Sequence, residues 1–220
     1  MKTYRHHIIT NFPQNTSIFK KLFANIMFLV GVTKITTRPN GLTKDDYHKA
    51  LHVVRRGDVI LVGSLRRVSK FFIRGPVTHA ALYIGKGKVI HAISDGVQKD
   101  IFREFFSEYD TLAIMRANIE ADKKQIIKKS ISYAKKQIGK PFNFFLTPSQ
   151  QELFCSQLIN NAFHHANFNT GITNYSEAKD IIRKEIAATR ALHPKNFVYA
   201  NFSLIFASSS LKKYIDEKII

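Results

Sequence analysis

Apolar and polar positions change period several times along the chain, and each period predicts an element. Residues 17–31 set Ile18, Phe19, Leu22, Phe23, Ile26, Phe28 and Leu29 at helical spacing, a wide apolar stripe beside Lys20 and Lys21. Thr43 predicts an N-cap with Asp45 and Asp46 in the first turn, and that helix extends to Val54. Val59-Ile60-Leu61-Val62, after Gly57-Asp58, reads as a short buried strand. THAALYIG (78–85) and KVIHAIS (88–94) read as two strands joined by a Gly-bearing turn. Leu112 to Arg116 is a further short strand. Residues 120–138 return to helical spacing, with Ile127, Ile131, Ala134 and Ile138 on one stripe, ended by Gly139 and Pro141. The aromatic loop FNFFLTPSQ leads to a helix that starts near Phe154-Cys155-Ser156 and buries Leu158, Ile159, Ala162 and Phe163. Residues 175–189 read as a helix, Asn201 to Ala207 as a last strand, and the stretch from Leu211 as a charged tail.

Helices, then a run of strands, then helices: this order predicts an α+β fold with a small antiparallel sheet. The pattern divides the chain into an N-terminal extension with an amphipathic helix (1–42), a body (43–210) and the tail (211–220).

Composition adds three constraints. Apolar residues make up 45% of the 220, enough for an ordinary core. The net charge of +18 favours anionic partners such as acidic lipid headgroups, although no compact basic block stands out. No element interleaves aromatic and basic residues as a nucleic-acid reader does, so nucleic acid is not the expected partner. The single cysteine rules out an internal disulfide. The apolar stretch Leu22 to Val32 is too short to span a bilayer, which needs about 20 residues, and makes a poor signal peptide. The expected place of this helix is packed on the body, with a membrane interface as the alternative. The corresponding location is cytoplasmic or at the membrane periphery.

Cys155 begins a helix, where free amides and the helix dipole lower a thiol pKa and its own N–H can face an oxyanion. His79 and His91 lie on the two strands of the hairpin. A three-residue Gly85-Lys86-Gly87 loop, or a bulge, puts the two imidazoles on one face as diagonal neighbours about 7–8 Å apart. A two-residue Lys86-Gly87 turn alone puts them on opposite faces. A thiol nucleophile needs a base, and the base needs an orienting group, a scheme that Cys155, His79 and His91 can fill. Pattern alone leaves an ordinary packing role equally open for all three.

THAALYIG, VIHA and FCSQL resemble the circularly permuted NlpC-type, papain-like hydrolases, such as the YiiX-like amidases. There the His hairpin precedes the Cys helix, as it does here. GDVIL, GKPFN and HPKNF extend the resemblance over roughly residues 55–207. It implies a permuted papain-like fold, with Cys155 as nucleophile, His79 as base and His91 as the group orienting His79. Many members carry Glu at that third position; a His there is similar to the lecithin–retinol acyltransferase branch, which moves acyl chains between lipids. The group also commonly has Glu two residues after the Cys, where this chain has Gln157.

The expected activity is therefore acyl transfer through a Cys155 thioester, with an amide of a peptide or N-acyl amino acid as first substrate. A lipid ester hydrolase or acyltransferase at anionic membranes is the second reading. A basic binding module with a dead site is the third. Tyr83, four residues after His79 on the same face, is a candidate substrate donor against a role as a core aromatic. Arg66, Arg67, Lys70 and Arg74 precede the hairpin and either rim the site, with Arg74 the candidate to hold a phosphate or carboxylate of the substrate, or form a solvated loop. His48 and His52 have zinc-compatible spacing but lack a metalloprotease Glu and read as surface residues. No cofactor or metal is expected.

Overall fold

A computed structural model describes residues 6–33, 41–66, 76–145, 151–172, 194–198 and 200–219. Six helices and six strands occupy the described residues: α1 (Ile18–Val32), α2 (Lys44–Val53), β1 (Val59–Gly63), β2 (His79–Gly85), β3 (Lys88–Ile93), β4 (Gly96–Ile101), α3 (Phe102–Ser107), β5 (Thr111–Ala117), α4 (Lys123–Lys136), α5 (Cys155–His165), β6 (Phe202–Ala207) and α6 (Ser209–Ile219). A 3₁₀ turn at Pro194–Val198 precedes β6. The strands form one antiparallel sheet in the order β4-β3-β2-β1-β5-β6. This is the α+β architecture that the order of elements predicts.

Side-chain alternation along the strands feeds two cores. Val59 and Leu61 of β1, with Ala80 and Leu82 of β2, face Ile131 of α4 and Leu158, Ile159 and Phe163 of α5. Ile60 and Val62, with Ala81 and Tyr83, face Ala50 of α2 and Phe102, Phe105 and Phe106 of α3. Helices cover both faces, so β1 is buried throughout, as a continuous apolar run requires.

Local caps and clasps fix the ends. The Thr43 hydroxyl accepts the Asp46 N–H at 3.0 Å while the Asp46 carboxylate accepts the Thr43 N–H at 3.1 Å, a reciprocal box worth about 1 kcal/mol. The same carboxylate accepts the Ser209 N–H at 2.9 Å and so ties α2 to α6. Asp58, at the entry to β1, receives the Arg116 guanidinium through two bonds of 2.8 and 2.7 Å, and Arg116 also donates to the Val53 carbonyl. GDVIL thus contributes a clasp between α2, β1 and β5.

The structure corrects three sequence expectations. Residues 96–107, for which the sequence pattern predicts no element, form β4 and α3; GVQKDI has few apolar positions, and α3 is only six residues long. The stretch from Leu211 belongs to helix α6, and Leu211 is buried. Most of the apolar stripe of α1 faces solvent instead of packing on the body: Ala24, Phe28 and Val32 are the side chains the helix buries. The helix expected at 175–189 lies outside the described residues. Among the described residues no helix is long and apolar enough to cross a membrane.

Candidate active site

The β2–β3 hairpin decides where its histidines point. Lys86 and Gly87 form a two-residue turn with φ of 52° and 64°, the left-handed geometry of tight hairpin turns, and Gly85 pairs with Lys88. Alone, this turn would put His79 and His91 on opposite faces. The pairs Tyr83↔Val89 and Leu82↔Ile90 show that the register shifts between Tyr83 and Gly85. A bulge there absorbs one residue and returns both imidazoles to one face. Of the two routes the sequence allowed, the chain uses the bulge.

His79 Nε2 lies 2.9 Å from His91 Nδ1, and His91 Nε2 lies 3.0 Å from Asp100 Oδ2. The sequence reading did not include Asp100. It stands on β4, opposite Val89 of β3. The Ser94-Asp95-Gly96 turn signal could have revealed that third strand. Gln98 donates to the same carboxylate oxygen at 3.3 Å. Tyr109 stacks on the His79 ring at 5.8 Å, and Phe105 meets His91 edge-on at 5.2 Å, so aromatic packing holds both rings.

The carboxylate gives this chain of bonds a direction. The hydrogen bond from His91 and the further bond from Gln98, against the opposing effect of burial, hold Asp100 below its usual 3.8, so it is ionised and accepts only. His91 therefore donates through Nε2, and in neutral His91 Nδ1 is an acceptor. His79 then donates through Nε2, which leaves its Nδ1 as an acceptor. Burial, reinforced by the adjacent His91, pushes the His79 pKa well below 6.5, so its ring is neutral at pH 7.

Cys155 arrives from the other face of the sheet. Leu153 N–H donates to the Pro141 carbonyl at 3.0 Å, and Leu153 bridges Phe142, which closes the aromatic loop just ahead of α5. Phe154 is the N-cap and offers no side-chain bond to the first amides of α5. The Ala80 and Ser156 backbones, the Ser156 side chain and Cys155's own backbone all favour its thiolate form. The paired stretch of β2 and β3 ends at Leu82↔Ile90, short of Ala80. Burial outweighs these effects and raises the Cys155 pKa above 9.0, which corrects the expectation of a lowered value. One of these groups, the Ala80 backbone, directly follows His79. Among the described residues no hydrogen bond joins the thiol to the imidazole itself.

The remaining candidates fall elsewhere. Tyr83, a candidate substrate donor for which the sequence favours a core aromatic, belongs to the core: it is 7% exposed, packs against Phe102, and its hydroxyl accepts the Gly87 N–H. Arg66 lies 2.8 Å from Asp110. Arg67, Lys70 and Arg74 lie outside the described residues. Gln157, where relatives carry Glu, accepts the Phe154 N–H at 3.5 Å across the first turn of α5, a position Gln fills as Glu does. His48 and His52 are exposed, and among the described residues no group of three or more His, Cys, Asp or Glu could hold a metal.

Comparison with known proteins follows from this geometry. A search of curated proteins finds no match. Among solved structures the chain is similar to the one titled crystal structure of metalloprotein yiiX from Escherichia coli O157:H7, at 16% identity and a TM-score of 0.48, covering 73% of this chain and 92% of that one. Residues 53–201, which hold β1 to β5 of the sheet, both histidines and the Cys helix, match the family described as permuted papain-like amidase enzyme, YaeF/YiiX, C92 family, and the chain belongs to that family.

Proposed function

We propose that this protein hydrolyses an amide of a peptide or N-acyl amino acid through a Cys155 thioester. The observation that carries the reading is the directed chain Asp100–His91–His79, which ends on a neutral base next to Ala80, whose backbone favours the Cys155 thiolate. His79 Nδ1 takes the thiol proton, and the sulfur attacks the carbonyl carbon. The Cys155 N–H faces the developing oxyanion. His79 returns the proton to the leaving nitrogen, the C–N bond breaks, and an amine departs. Water, deprotonated by the same nitrogen, then cleaves the thioester and releases a carboxylic acid. Thiol and imidazole close on each other when substrate binds, since catalytic contacts in ligand-free enzymes are often loose. His91 and Asp100 are positioning residues that fix the His79 tautomer. The family description favours an amide over the lipid ester of the second reading.

The test compares wild type with Cys155→Ala on N-acyl amino acid and short peptide amides. An electrophilic thiol probe is added in parallel. Wild type is expected to turn over an amide and to label at Cys155, and folded Cys155→Ala to do neither. Activity retained by Cys155→Ala would overturn the mechanism. A thiol that stays unlabelled, with no turnover, would favour the non-catalytic binding module.

A further inference from the structure

We propose that α1 docks the protein on an anionic bilayer, with its exposed apolar face inserted at the level of the lipid headgroups. Six of its apolar side chains are exposed: Ile18 76%, Phe19 80%, Leu22 59%, Phe23 50%, Ile26 51% and Val30 42%. At 100° per residue they cover one continuous arc of about 140°, roughly opposite the buried Ala24, Phe28 and Val32. The helix is therefore amphipathic in an inverted sense: its narrower apolar edge holds it to the body, and its broad apolar face looks outward.

The attachment is firm. Ile9 packs against Phe28 and Val32, and the Asn25 side chain bonds both the N–H and the carbonyl of Ile9, at 2.7 and 3.3 Å. His7 bonds Asp95 at 2.8 Å in the β3–β4 turn, while its ring meets Phe28 edge-on at 4.9 Å. The outward face is thus presented by a fixed platform.

Charge and dimensions select the occupant. α1 contains no acidic residue, Lys20 and Lys21 are exposed outside the apolar arc, and the whole chain carries +18. Basic residues beside an apolar face suit an anionic interface. The helix has 15 residues, about 22 Å of length, too short to span a bilayer and well suited to lying in its surface.

Docking also places the candidate site. Phe23 stacks on Phe145 at 5.8 Å, and Lys20 Nζ lies 5.5 Å from the centre of the same ring. Phe145 belongs to the aromatic loop that leads to Cys155. A cavity of about 520 Å³ lies between Ser17 and Lys20 of the α1 N-terminus and Phe144, Phe145 and Glu152 of that loop. A bilayer against α1 thus lies beside residues on either side of this cavity, Phe145 and Glu152, the latter three residues before Cys155. The proposal stands on α1 and does not depend on the catalytic reading.

The experiment is co-sedimentation of the full chain with vesicles of phosphatidylcholine alone or with phosphatidylglycerol, at low and high salt, plus analytical ultracentrifugation without lipid. Wild type, Phe19→Asp/Leu22→Asp and Lys20→Glu/Lys21→Glu are compared. Wild type is expected to prefer acidic vesicles by about tenfold or more and to keep part of its binding in high salt. Phe19→Asp/Leu22→Asp should lose that binding about tenfold with an unchanged melting curve; Lys20→Glu/Lys21→Glu should lose mainly the salt-sensitive part. Phe19→Ser alone, at the most exposed position, serves if the double variant misfolds. Equal binding to both vesicles, or full binding by Phe19→Asp/Leu22→Asp, would overturn the proposal. So would a dimer that the same substitutions dissolve while wild type ignores vesicles, which would assign the face to a second copy.

Discussion

Burial sets the resting state of both reacting groups. Cys155 above its usual 9.0 and His79 well below its usual 6.5 are both neutral at pH 7, so the site rests as thiol and imidazole and not as an ion pair. On this reading kcat/KM holds a plateau down through pH 6.5 and falls only where His79 finally takes a proton. A pH–rate profile whose acid limb sits at the ordinary histidine value would contradict the geometry. The positioning groups give a graded series. His79→Gln removes the base and should cost about 10²–10⁴ in kcat. His91→Gln and Asp100→Asn leave the base in place and should cost about 10–100-fold. Asp100→Asn replaces an acceptor-only group with one that can also donate, so it should also move the acid limb, a change that a purely structural loss would not produce. Steady-state kinetics of the three variants on one amide check this order.

At the scale of elements, two loci carry measurable stability. Asp58 is 2% exposed on its side chain and neutralised by Arg116, so Asp58→Ala strands a guanidinium and should cost about 3 kcal/mol in urea unfolding. Lys86 holds φ of 52° in an exposed turn, so Lys86→Asn, giving the Asn-Gly pair that such turns prefer, should gain about 0.5–1 kcal/mol in the same assay. These elements also show what the chain made legible. Thr43 and Asp46 announced α2 because a cap is a local transaction between neighbours. The shared face of His79 and His91 could be argued because hairpin register has only two parities. Asp100 was hidden because β4 alternates weakly, and a carboxylate on a polar strand looks like solvent-facing charge. The exposure of α1 was hidden for another reason: helical spacing says which residues share a face, and only the tertiary structure says whether anything covers it. The raised Cys155 pKa was hidden likewise, since a helix start is visible in sequence and the depth of burial is not.

For the whole molecule, the depressed His79 pKa is a statement about stability. The unfolded chain binds a proton at His79 near 6.5 and the folded chain resists it, so stability is complete above 6.5 and is lost as pH falls from there through the folded value. Asp46 and Asp100, held below 3.8, lose their contributions only at still lower pH. Glu152, raised by burial above 4.5 against a smaller effect of Lys20, works in the opposite direction, so the readout is a difference. Urea midpoints between pH 6.5 and 4.5 should fall for wild type and stay flatter for His79→Gln. Parallel curves would refute the assignment. The permuted order of the chain carries a consequence for biosynthesis. The hairpin with its two imidazoles leaves the ribosome first, and Cys155 follows on the order of 10 s later at about 5–20 residues per second. On the proposed mechanism, the nascent chain during that interval holds the base without its nucleophile. On that mechanism, thiol and imidazole come together only when the helix bearing Cys155 docks on a sheet whose fifth strand is already made.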